Sequence, residues 1–226
     1  MKSTLANKTT PAPRRVLIVD DHPFLRMGLS AALSLESDIC VCGAVATAEE
    51  ALTVVGNLRP DLVLTDLSLP GKSGLDLIKD LITLYPGLPV IALSMHEEDI
   101  YAERCLRAGA RGYLMKSEAP EKLAAVIRYV LADGIHVSEK TTARIVAAFS
   151  GRPTRNEQPA LSHLTDREFE LFQWIGRGLS TSKIAERMHI SAKTVETHRM
   201  NIKEKLGLAT AGELISFASR WMATQH

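Results

Sequence analysis

Asp20 and Asp21 follow the apolar run Val16–Val19, and Asp66 follows Leu62–Leu64. Ser94 ends a third such run, Val90–Leu93, and Lys116 a fourth, Gly112–Met115. Short apolar runs suit strands buried on both faces of a parallel sheet. The ends of such strands border the ligand crevice of open α/β sheets. Three carboxylates in one crevice repel one another and raise one another's pKa values. A divalent cation resolves that repulsion, and an all-oxygen donor set suits Mg²⁺. Asp66 then has the chemistry of a phosphoryl acceptor. Its carboxylate is the nucleophile, the metal and the Lys116 ammonium form an electrostatic clamp, and the Ser94 hydroxyl donates to the same phosphoryl oxygens. Read singly, Asp66 is a cap or turn residue, Ser94 a turn residue and Lys116 a solvated strand end. The specific signal is their recurrence, in order, at successive strand ends.

Helical patterns alternate with these runs. Pro23 opens one with Leu25, Leu29, Ala32 and Leu33 on a single face. A further strand over 39–45 leads into Thr47-Ala48-Glu49-Glu50, a capping sequence, and a helix that ends before Pro60. Pro70, Gly71 and Gly74 punctuate the turn after Asp66, and Leu75–Leu84 is amphipathic. Helices are also expected over 97–107 and 119–132. Five strands alternating with five helices imply right-handed crossovers and an α/β doubly wound five-stranded parallel sheet.

A chain of 226 residues suits one large domain or two smaller ones. Its 46% hydrophobic and 23% charged content is that of an ordinary soluble protein, and its net charge of +1 singles out no partner. No apolar run approaches membrane-spanning length, so no membrane association is expected. Cys40, Cys42 and Cys105 have no metal-ligand spacing. They read as reduced thiols in a cytoplasmic protein, with Cys40 and Cys42 as small hydrophobes on one strand face.

The pieces Asp20-Asp21-His22, Asp66 with Pro70 and Gly74, Ser94-Met95-His96, and Gly109 through Lys116 together resemble the receiver domain of two-component response regulators. The resemblance implies phosphorylation of Asp66, direct Mg²⁺ ligation by Asp21, Asp66 and the Ser68 carbonyl, and a water-mediated role for Asp20. It also implies that Ser94 and Tyr113 are a switch pair, with Tyr113 turning into space opened behind Ser94, and that Lys116 clamps the phosphoryl group.

The receiver is expected over 14–134 and a linker over 135–160, with a helix at 138–149 capped by Ser138. Ser150 to Pro159 is polar and rich in breakers, a composition expected of a flexible joint. Residues 161–226 show no strand pattern. Thr165-Asp166-Arg167-Glu168 is a capping box opening a helix, followed by helices over 180–188, 192–206 and 210–222. Short helix, turn and longer helix is a helix-turn-helix layout. On the third helix Val195, Ile202 and Leu206 face a core, whereas Lys193, Thr197, Met200 and Glu204 face away, flanked by Glu196 and Lys203. Residues 160–226 hold 9 Lys and Arg against 7 Asp and Glu, a mild electrostatic footprint.

Leu164 through Glu168, Ile184-Ala185, Ser191 through His198 and Lys205-Leu206-Gly207 resemble the LuxR-type helix-turn-helix. The whole chain is thus similar to the NarL/FixJ class of response regulators. That resemblance implies that Glu196, Thr197 and Met200 face bases, and that Lys193, Thr194 and Lys203 face the DNA backbone. It gives Leu214, Ile215, Ala218 and Met222 of the fourth helix as a dimer contact on paired half-sites. Partners would be DNA, a sensor histidine kinase and a second copy of the chain. In the family the unmodified receiver covers the recognition helix and phosphorylation releases it. An aspartyl-phosphate enzyme is disfavoured by Ser68, which stands where an Asp-x-Asp pair would need its acid. A regulator switched by protein partners alone is disfavoured by the complete acidic set and Lys116.

Overall fold

The structure is a computed structural model that describes residues 12–95, 98–149, 161 and 163–223. Five parallel strands, β1 (Arg14–Val19), β2 (Ile39–Val45), β3 (Leu62–Asp66), β4 (Val90–Ser94) and β5 (Gly112–Met115), lie in the order β2-β1-β3-β4-β5. They alternate with α1 (Pro23–Ser34), α2 (Ala48–Leu58), α3 (Gly74–Leu84), α4 (Glu98–Arg107) and α5 (Ala119–Leu131). This is the expected doubly wound sheet.

The apolar runs work because each central strand is covered twice. Side chains alternate along a strand. Val16, Ile18, Leu62, Leu64 and Ile91 therefore meet α1 and α5 through Leu29, Leu33, Leu123 and Ile127. Their neighbours Leu17, Val19, Val63 and Ala92 meet α2, α3 and α4 through Val55, Ile78, Leu81 and Cys105. Strand order reverses between β1 and β3, so a crevice opens beyond their carboxyl ends. Asp20 and Asp66 sit there. β2 is an edge strand, and Cys40 is exposed on it rather than packed as a small apolar residue.

The chain leaving β5 and α5 stays attached to the sheet. Tyr113 N–H donates to the His136 carbonyl at 2.9 Å, and His136 N–H donates to the Arg111 carbonyl at 2.9 Å. α6 (Glu139–Phe149) follows, its first turn capped by Ser138 as expected. Among its described side chains Val146 is exposed and Thr141 is buried. Residues 150–160, the breaker-rich stretch, lie outside the described residues.

Four helices complete the chain: α7 (Asp166–Gly176), α8 (Thr181–Arg187), α9 (Ala192–Leu206) and α10 (Ala211–Ala223). The capping box at α7 is formed on both sides, with Thr165 Oγ1 accepting from Glu168 N and Glu168 Oε2 accepting from Thr165 N at 2.8 Å. Phe172 packs against Phe217 and Trp221, and Val195 and Ile202 of α9 are fully buried. Gly207 ends α9 at φ 66, a left-handed position that glycine occupies without strain.

Candidate functional site: an acidic crevice and a helix-turn-helix face

β1 and β3 carry Asp20 and Asp66 to the same end of the sheet, both essentially inaccessible to solvent, and the turn after β5 brings Lys116 between them. The Lys116 ammonium lies 2.7 Å from Asp20 Oδ2 and 2.7 Å from Asp66 Oδ2. Ser68 N–H donates to Asp66 Oδ1 at 3.1 Å, so both oxygens of Asp66 are held from different sides. Burial lifts the Asp66 pKa, Lys116 opposes the lift, and Asp20 adds to it. Burial works against the Lys116 charge, yet Asp66 and Asp20 outweigh it and its pKa is raised.

Asp21 is half-buried, and His22 Nδ1 approaches its Oδ1 at 2.6 Å from a largely exposed ring. Ligand atoms of Asp20, Asp21, His22 and Asp66 all lie within 4.8 Å of one another. Asp20 Oδ2 and Asp66 Oδ2 share one ammonium, and Asp21 Oδ1 meets the His22 ring. Lys116 alone cannot neutralise three carboxylates, so the pocket has the oxygen donors and the residual negative charge that a hard divalent cation requires. Gly74 lets the loop close onto the end of β3: a Cβ there would lie 1.9 Å from the Asp66 carbonyl oxygen. The sequence reading used that glycine as a turn former and as part of the receiver motif, not as a point of close approach.

Ser94 is fully buried at the end of β4, and Tyr113 is 1% exposed with its phenol hydrogen-bonded to the Ser94 side chain. Burial pushes the Tyr113 phenol well up. The ring therefore lies inside, beside the Ser94 hydroxyl.

Lys193, Glu196 and Thr197 are exposed on α9, Met200 is 59% exposed, and Thr194 and Lys203 are half-buried. The receiver does not cover this face of α9. α7 is seated on the receiver instead. Arg104 of α4 donates to the carbonyls of Leu161 (2.9 Å) and Leu164 (3.1 Å) and to Asp166 Oδ1 (3.0 Å). Its guanidinium also lies 4.0 Å from the Phe169 ring centre. Lys79 of α3 pairs with Asp166 at 2.7 Å, Tyr101 meets Phe169 edge-on, and Arg167 donates to the Gly71 carbonyl. Glu170, its pKa raised by burial against the pull of Arg167, lines a small cleft with Ser68, Ser73 and Tyr101. The second domain thus reaches the loop that follows Asp66. Sequence reasoning missed Arg104, because nothing in an exposed-looking helix pattern says which carbonyls lie opposite.

The fourth-helix set also needs correction. Leu214 and Ala218 are fully buried in the domain's own core, and Met222 is half-buried against Gly176 of α7. Of the four, Ile215 alone projects outward, 43% exposed. A helix wheel finds an apolar face but not which neighbour covers it.

Residues 16–128 match the response regulator receiver domain family, and residues 162–218 match the bacterial regulatory proteins of the luxR family. The oxygen regulatory protein NreC of Staphylococcus aureus (strain MRSA252) is 35% identical over 208 residues, covering 90% of this chain and 96% of NreC. A two-component response regulator of the LuxR family from Aurantimonas sp. SI85-9A1 is similar at 28% identity and a TM-score of 0.56, covering 62% of this chain and 99% of its own. RcsB of Salmonella enterica serovar Typhimurium, solved on promoter rprA with the phosphomimetic BeF3-, shares the fold at a TM-score of 0.60 and 23% identity. That alignment covers 91% of this chain and 98% of RcsB. Two matched domains in this order, with an acidic crevice in the first and an open helix-turn-helix face in the second, place the chain in the LuxR-type two-component response regulators, a family of DNA-binding regulators rather than a class of enzymes.

Proposed function

We propose that the chain is a phosphorylation-dependent DNA-binding transcription regulator that accepts a phosphoryl group on Asp66 from a sensor histidine kinase. The observation that carries this reading is the buried Asp66 carboxylate, held by Ser68 N–H on one oxygen and by Lys116 on the other, in a pocket short of positive charge. Mg²⁺, when bound, supplies charge neutralisation to the carboxylates and to the incoming phosphoryl oxygens. Asp21, Asp66 and the Ser68 carbonyl would hold it, with Asp20 acting through water. An Asp66 oxygen attacks phosphorus in line, the P–O bond forms, and the P–N bond to the donor imidazole breaks. Lys116 stabilises the charge on the transferred group and requires no proton transfer to do so. The chain performs self-assisted phosphoryl acceptance and no further catalysis.

Ser94 links acceptance to output. Its hydroxyl is shared with the Tyr113 phenol, so new acceptor oxygens on Asp66 compete for it. Tyr113 borders the apolar cluster that holds Tyr101 and Cys105 of α4, the helix on which α7 sits. A bias of a few kcal/mol in that seat is enough to shift a two-state population. Residues 14–134 form the receiver, 135–160 the linker and 161–226 the DNA-binding domain. Glu196, Thr197 and Met200 face bases, Lys193, Thr194 and Lys203 face the backbone, and two copies bind paired half-sites. Ile215 is the α10 residue available to a partner copy. Among the described residues no helix is long and apolar enough to cross a membrane. The site of action in this reading is the cytoplasm.

The test is sequencing of genomic fragments retained by the purified protein, with and without acetyl phosphate and Mg²⁺, beside an Asp66→Ala control. Fragments enriched only by phosphorylated wild type are expected. Equal enrichment in every sample would remove phosphorylation as the gate, and no enrichment would remove DNA binding.

A further inference from the structure

We propose that Glu196 reads an exocyclic amino group on the major-groove edge of one operator base, cytosine N4 foremost, and that Thr181 and Arg199 are the positioning residues that aim it. The inference rests on the DNA-binding reading above. Arg199 Nη1 donates to Thr181 Oγ1 at 2.8 Å, and Thr181 Oγ1 donates to Glu196 Oε1 at 2.9 Å. Arg199 also lies 3.4 Å from the same oxygen. Thr181 opens α8 and Glu196 stands in the second turn of α9, so the relay joins the two helices of the helix-turn-helix. The Arg199 side chain is 17% exposed and that of Glu196 is 60% exposed. The cation is thus kept inside while the carboxylate stays at the surface, in the row that holds Thr197 and Met200.

Both positioning contacts use Oε1, which leaves Oε2 to accept from outside. A carboxylate only accepts. In the major groove cytosine offers its N4 donor, and adenine offers N6 beside the N7 acceptor. Guanine O6 and N7 and thymine O4 are acceptors and repel a carboxylate, so the same residue both selects and rejects. A carboxylate fixed before binding has less rotamer freedom to lose on contact.

Phosphorylated full-length protein, prepared with acetyl phosphate and Mg²⁺, is used to select from a random-sequence duplex library. Wild type is compared with Glu196→Ala, Glu196→Gln and Thr181→Val. Wild type is expected to require cytosine, or failing that adenine, at one position of each half-site. Glu196→Ala should lose that preference by on the order of tenfold while the other positions keep theirs. Glu196→Gln, which donates as well as accepts, should move the position towards adenine, and Thr181→Val should weaken the same preference without replacing it. If a Glu196 variant fails to fold, Thr181→Ser against Thr181→Val carries the comparison, since only the serine keeps the hydroxyl. A relay that merely ties α8 to α9 would lower affinity uniformly and leave every base preference intact, and that result overturns the proposal. Unchanged binding when the selected cytosine is replaced by 2-pyrimidinone, which lacks the N4 amino group, overturns it as well. No selection by wild type would overturn the DNA-binding reading itself, an outcome distinct from variants that select as wild type does.

Discussion

Lys116 is the most exposed to consequence of any single residue, because two buried carboxylates depend on it at 2.7 Å each. Removing one member of a buried ionic set leaves uncompensated charge and costs ~3–5 kcal/mol. Lys116→Met should therefore lower stability in urea by about that amount, and added Mg²⁺ should recover part of the loss by neutralising the same oxygens. Asp66→Asn should abolish the mass increment of one phosphoryl group after acetyl phosphate treatment. Glu168 offers a pH test. Burial raises its pKa, but the Lys205 ammonium at 2.6 Å and the capping box at Thr165 pull it below its ordinary value of 4.5. A depressed carboxyl stabilises the fold fully above its unfolded pKa and loses that contribution as pH falls through the folded value. The stability gap between wild type and Glu168→Gln should thus be widest near neutral pH, at about 1 kcal/mol, and close as the solution is taken below 4.5. Asp20, Asp66, Ser94 and Lys116 were legible because each ends an apolar run, and strand ends converge in this class of sheet. Thr181 and Arg199 were not legible. Their partner lies across a turn, and only the packing of α8 on α9 brings the three side chains together.

At the scale of elements, the sequence reading placed every strand and helix that the structure describes, with ends differing by a residue or two. Apolar periodicity and caps carry that information locally: Thr47, Ser73, Thr165, Ser180 and Ser191 each accept from a backbone N–H in the first turn they open. The partner of a helix face is not local, which is why the sequence left Leu214 and Ala218 open between a dimer contact and the domain's own core, where they lie. Gly74 shows the same limit in reverse. Its role is the absence of a side chain against the Asp66 carbonyl, and a turn signal does not reveal that contact. Gly74→Ala must displace the β3 end, so it should destabilise by ~1–3 kcal/mol, as overpacking does, and slow phosphoryl acceptance in parallel. Ile202→Ala on α9 should cost ~2–5 kcal/mol through a core cavity, read as a fall in the melting temperature, without altering acceptance on Asp66.

At the scale of the whole molecule, α4 is the shared part. Glu98 at its start accepts from the Ser138 N–H that opens α6, and Arg104 near its end holds the chain entering α7. The recognition face is already open, so the seat cannot act by shielding bases. It fixes the orientation of the second domain, and in the proposed reading orientation decides whether two copies can meet paired half-sites. Arg104→Ala should loosen the seat: the radius of gyration in solution scattering should rise, and unphosphorylated protein should bind DNA more tightly than unphosphorylated wild type. The stitching of His136 to β5 sets the terms of that equilibrium. Because both domains belong to one chain, their docking is intramolecular, at an effective concentration on the order of millimolar where the linker length matches the span. A seat too weak to hold two separate molecules together is still occupied under that condition. Lengthening the chain between Phe149 and Leu161 would dilute it, and would mimic part of phosphorylation with Asp66 untouched.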